Sequence, residues 1–113
     1  MARASTQVPA SVFNILLALG DQELHGYAIM QRVEELTDGS VSMGPGTLYG
    51  SLKRMLADGL VEETDARPDP ELDDERRRYY RVTAIGARTR AEEIARLEAL
   101  LHRARSGSKL RKA

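Results

Sequence analysis

The sequence predicts a mainly helical α+β domain, in which three short helices and a small β-wing are followed by a long last helix. Three observations carry that prediction. Apolar residues recur at helical spacing in four separate segments, and glycine or proline punctuates the first three of them. One stretch, Arg77 to Val82, alternates instead with the period of two that a half-buried strand requires.

Residues 1–8 are polar and aperiodic, and are expected to form a disordered arm. From Pro9 onward Val12, Ile15, Leu16 and Leu19 fall at i, i+3, i+4 and i+7. Pro9 suits the start of a helix and Gly20 its end. A second helix follows His25-Gly26, with Tyr27, Ile29, Met30, Val33 and Leu36 on a broad apolar stripe and Asp38-Gly39 as its stop. On this spacing Tyr27 is assigned to the core and His25 to a structural or capping role. Ser40 to Met43 reads as a short first strand. The third helix starts at Ser42 or Gly44, takes Pro45 into its first turn and ends at Asp58-Gly59.

After the third helix, Leu60 to Thr64 favours a strand only weakly, and Ala66 to Arg76 is a loop with Pro68, Pro70 and a run of acids. Arg77 to Val82 is the better strand, with Tyr80 and Val82 on one face and Arg77, Tyr79 and Arg81 on the other. Thr83 is placed to cap a last helix over 83–105. Ala87, Ala91, Ile94, Leu97, Leu101 and Ala104 follow steps of three and four there, and Leu100 widens the stripe. Residues 106–113 are read as a disordered basic tail.

The third helix carries the functional information. Leu48, Leu52, Met55 and Leu56 make one apolar stripe that must be buried. The opposite face holds Gly46, Thr47, Gly50, Lys53, Arg54 and Ala57, with Tyr49 at its flank. Small residues at the start allow close approach to another polymer, while two cations and the free N–H groups of a helix N-terminus suit phosphate. A plain solvated face would show the same composition, so the neighbouring elements have to decide.

Composition narrows the classes. The chain has 113 residues, one domain by length, with 17 Lys plus Arg against 17 Asp plus Glu. A nucleic-acid reading must therefore rest on where the charges sit rather than on their sum. No cysteine is present, and His25 and His102 lack ligand-like spacing, so no metal site and no cofactor is expected. Neither a nucleophile–base pair nor a phosphate-cradling glycine loop appears, which argues against an enzyme. No stretch has the length of a membrane span or the pattern of a signal peptide, and a cytoplasmic protein is expected.

Three helices, a short strand, a two-stranded wing and a long helix are the order of a winged helix-turn-helix, spanning residues 9–82. The residues reach further than topology. His25-Gly26-Tyr27, Gly46-Thr47-Leu48-Tyr49, Leu52-Lys53-Arg54, Gly59-Leu60-Val61 and Arg78-Tyr79-Tyr80-Arg81-Val82-Thr83 leading to Gly86 resemble the PadR family of bacterial transcription regulators over about residues 10–88. The resemblance is to the subgroup with a single C-terminal helix. It departs in two places. Gly50 stands where the family commonly has proline, and Asp69, Glu71, Asp73, Asp74 and Glu75 make the wing more acidic than the usual glycine- and arginine-rich tip.

The resemblance implies a homodimer that represses promoters, is relieved by a small-molecule effector, and is joined through its last helix. The expected DNA-binding residues are Gly46, Thr47, Tyr49, Lys53, Arg54, Arg76, Arg77 and Arg78. By position, Thr47 would meet phosphate or a base edge, Tyr49 phosphate or a thymine methyl, and Lys53 and Arg54 phosphate. The three wing arginines would contact the DNA backbone or pair with the local acids. Ile94, Leu97, Leu100 and Leu101 are the expected dimer interface, because a small three-helix body leaves so long a helix largely uncovered. Double-stranded DNA with a pseudo-palindromic operator is then the partner. The alternative is a winged helix that docks protein and binds no nucleic acid, which the zero net charge and acidic wing permit.

Overall fold

The computed structural model describes residues 8–64 and 78–110, with side chains to residue 107. Its elements are α1 (Ala10–Leu19), β1 (Leu24–His25), α2 (Gly26–Leu36), α3 (Pro45–Ala57), β2 (Val61–Thr64), β3 (Tyr79–Val82) and α4 (Ala84–Leu110). Four helices and a three-stranded antiparallel sheet make the expected mainly helical winged helix. The body is built around α1. Its Val12, Ile15, Leu16, Ala18 and Leu19 are buried, and α2, α3, α4 and β3 all pack against it. Each such aliphatic side chain contributes about 1.5–3 kcal/mol of transfer free energy, so the stripe of α1 is the main anchor of the fold.

The sheet runs β1-β3-β2, with Leu24 opposite Tyr80, Val61 opposite Val82 and Glu62 opposite Arg81. Leu24, Tyr80, Val61 and Val82 thereby share the face that packs on the helices. His25, Tyr79, Glu62 and Arg81 share the other. Tyr79 is nevertheless buried, because the His25 ring meets it edge-on at 5.5 Å.

Two expectations need correction. Ser40 to Met43 is not a strand, and the first strand is Leu24–His25. Backbone groups after α2 are satisfied locally: the Thr37 hydroxyl donates to the Val33 carbonyl at 2.9 Å and accepts from the Val41 N–H at 3.1 Å, while the Ser40 N–H returns to the Thr37 carbonyl. A segment so tied has no reason to join a ladder. The last helix, in turn, continues through Ser106 and Gly107 to Leu110, five residues into the stretch read as tail. A single glycine costs about 1 kcal/mol in a helix interior, and a helix already nucleated propagates through it. The remaining tail and residues 1–7 of the arm lie outside the described residues, whereas Val8 packs against the core.

The joint between wing and α4 is tightly made. Thr83 donates its hydroxyl to the Gly59 carbonyl at 2.5 Å and accepts from the Gly86 N–H at 3.0 Å, so it caps α4 and ties it to the end of α3. A side chain at Gly86 would strike the Leu60 carbonyl and Val82, which explains the glycine. One turn later Arg90 donates to the carbonyls of Leu16 and Gly20, both at 3.1 Å, and so ties α4 to the end of α1, where Leu16 also accepts the Gly20 N–H.

Candidate nucleic-acid interface

Leu48, Leu52 and Met55 seat α3 in the core, and the Ser51 hydroxyl donates to that of Ser11 on α1 at 3.1 Å. That fixes which face looks outward. Gly46, Thr47, Tyr49, Gly50, Lys53, Arg54 and Ala57 are all exposed. Gly44 caps the helix without a side-chain hydrogen bond, Pro45 follows, and no acid lies in the first turn. The N–H groups of Gly46 and Thr47 therefore end a helix dipole with no competing carboxylate.

The cations differ. Lys53 has no acidic partner among the described residues, whereas Arg54 lies 3.9 Å from Asp58, one turn on, with both side chains more than half exposed. A pair so open to water contributes little and yields readily to a phosphate.

Tyr49 is 49% exposed, yet its ring is not free. It lies over Gly26 at the start of α2, where even a methyl group would collide with the phenol. Its outer half joins the exposed face of α3 and its inner half belongs to the fold. Tyr27, assigned from its spacing to the core, is instead 61% exposed on the first turn of α2 and stacks on His25 at 6.5 Å. Its position opposite Ile29 and Val33 on the helix leaves it no core to enter. His25 does cap α2, its Nδ1 accepting the Ala28 N–H at 3.2 Å.

Residues 15–92 match the transcriptional regulator PadR-like family. The chain belongs to that family. Over 87 residues it is 36% identical to the transcriptional regulator Rv3488 of Mycobacterium tuberculosis, covering 77% of this chain and 75% of that one. It is 42% identical over 53 residues to a 37.1 kDa protein in transposon TN4556 of Streptomyces fradiae, 47% of this chain and only 15% of that protein. Among solved structures, Bacillus subtilis PadR in complex with operator DNA superposes with a TM-score of 0.64 at 20% identity, covering 78% of this chain and 48% of that one. Fold and family agree, and the family is one of regulators, not enzymes.

In this PadR-like chain the wing is electrically quieter than α3. Arg78 reaches Glu63 at 3.2 Å, and Arg81 bridges Glu62 at 2.6 Å and Glu23 at 3.2 Å. These bonds hold the Arg81 guanidinium above even its usual high pKa, the Glu62 hydrogen bond contributing most. Of the three expected wing arginines, Arg78 alone is described, while Arg76, Arg77 and the acids from Asp69 to Glu75 lie outside the described residues. Sequence reasoning missed two residues that shape this surface. Gly26, the bed of Tyr49, stood in plain view in His25-Gly26-Tyr27, but a bed is visible only once its occupant is known. Arg90 gave no local signal, because its partners are about 70 residues away in sequence.

Proposed function

We propose that the protein is a sequence-specific DNA-binding repressor that acts in the cytoplasm as a homodimer and is released by a small-molecule effector. One observation carries the reading. α3 buries one face and offers on the other an N-terminus with no side-chain cap, small residues, a Lys53 with no acidic partner among the described residues and a loosely paired Arg54. Gly46 and Thr47 would approach the backbone, Lys53 and Arg54 would neutralise phosphates, and Arg78, with Arg76 and Arg77, would follow the neighbouring phosphates. The operator DNA bound by Bacillus subtilis PadR supports this use of the fold. Among the described residues no helix is long and apolar enough to cross a membrane, in keeping with a protein that meets DNA.

The dimer reading rests on α4, whose 27 residues extend about 40 Å. Ile94, Leu100 and Leu101 are exposed and Leu97 is half-buried, a stripe that a second copy would cover. Two-fold symmetry then calls for a pseudo-palindrome with half-sites about 10 base pairs apart. An apolar seam of this kind also suits a flat apolar effector.

Titration of DNA upstream of the protein's own gene at two salt concentrations tests the function. Binding should weaken with salt, and Lys53→Ala or Arg54→Ala should lower the salt slope by about one each and weaken all sequences alike. The paired arginines of the wing favour a second reading, a winged helix that docks protein. Undiminished affinity in both variants would remove the α3 cations from the DNA contact, and no DNA binding at all would favour the protein-docking reading.

A further inference from the structure

Tyr49 lies where α3 meets α2. It springs from the first turns of α3, and the hydroxyl end of its ring lies over the Cα of Gly26 at the N-terminus of α2. One aromatic side chain thus joins the two helices at their base. The fit to Gly26 is made by the phenol end of the side chain. An added methyl would meet first the Tyr49 hydroxyl oxygen, then the ring carbon that bears it at 2.8 Å, and the Leu48 side chain at 3.1 Å.

We propose that Tyr49 is a positioning residue, whose ring, seated on the bare Cα of Gly26, sets the angle at which α3 is held against α2 and presented to DNA. The proposal deepens the DNA-binding reading and rests on it. It differs from a direct contact in what the hydroxyl does. A hydroxyl that bonds phosphate is lost in Tyr49→Phe, while a ring that acts as a wedge is kept. It also makes Gly26 a determinant of DNA recognition without contact to DNA. The nearest atoms in the way of an alanine at 26 are the far end of the Tyr49 side chain, so Gly26→Ala displaces the ring first and presses on the core only at Leu48, 3.1 Å away.

The test is a double-variant cycle, read by titrating the duplex upstream of the protein's own gene and a scrambled duplex of equal length. Tyr49→Phe should bind the upstream duplex within about twofold of wild type. Tyr49→Ala, Gly26→Ala and the double variant should each lose about tenfold, the double no worse than either single, because all three undo one contact. Loss should fall on the upstream duplex more than on the scrambled one, with the salt slope unchanged, since no cation has been removed. Tyr49→Phe binding as poorly as Tyr49→Ala overturns the proposal, as do losses that add in the double variant. The same cycle read in thermal unfolding needs no DNA: non-additive shifts support the contact and additive shifts refute it. That readout separates failure of this inference from failure of the DNA-binding reading, which a wild type that binds neither duplex would reveal.

Discussion

The two halves of α4 are one continuous helix, the first covered by its own domain and the second the proposed seam. From Ala84 to Glu93 the helix is part of its own domain: Thr83 caps it, Gly86 lets it touch the Leu60 carbonyl, Arg90 closes the end of α1, and Glu93 is only 5% exposed. From Ile94 onward the aliphatic residues continue with less cover: Leu97 is half-buried, while Ile94, Leu100 and Leu101 are exposed, Leu101 at 52%. Amphipathic spacing is the same in both halves, so periodicity alone cannot say what covers a stripe. Close-approach glycines and charged caps can, because they are specific to one neighbour.

The largest effect should come from the distal half. Leu97→Glu places a carboxylate twice in the proposed seam, without a partner, at a cost of about 3–5 kcal/mol to association. Sedimentation should show a folded monomer with operator affinity collapsed, since each half-site alone lacks the avidity of the pair. A wild type that is monomeric at micromolar concentration yet binds its operator tightly would erase the distinction between the halves. Gly86→Ala strikes the proximal half. Its methyl meets a backbone carbonyl that cannot rotate away, which should cost about 2–3 kcal/mol of fold stability. Thermal unfolding at fixed protein concentration should register it, while the protein that remains folded still dimerises. A variant as stable as wild type would mean that α4 sits less tightly on Leu60 and β3 than described.

What the sequence revealed follows the same division. The helix limits were readable wherever chain chemistry is local: Pro9 and Gly20 bracket α1, Gly44-Pro45 opens α3, and Thr83 caps α4. The alternation of Tyr80 and Val82 located β3, the central strand. β1 was not readable, because two residues show no alternation and Leu24–His25 becomes a strand only by pairing with Tyr79 and Tyr80. On the proposed interface, the outward face of α3 followed from its buried stripe. The seat of Tyr49 on Gly26 and the pairing of Arg78 with Glu63 did not, since each joins residues far apart in sequence.

The boundary between the halves offers the smallest effect and a pH signature. Glu93 accepts two hydrogen bonds from Arg96, at 2.9 and 2.7 Å, and that pairing holds its carboxyl below the usual value, against the opposing effect of burial. The unfolded chain has no such partner, so as pH falls it takes up the Glu93 proton first. Stability from this group is complete above the unfolded value, about 4.3, and is lost as pH falls through the lower folded value. Arg96 keeps 37% of its side chain exposed, so Glu93→Gln strands no fully buried cation and should cost only about 1 kcal/mol at neutral pH. The variant's stability should then change less than wild type's between about pH 5 and pH 3, in denaturant titrations at each pH. If the two proteins lose stability in parallel through that window, the Glu93–Arg96 pair is a surface ornament, and the proximal half of α4 ends at Arg90 rather than at Glu93.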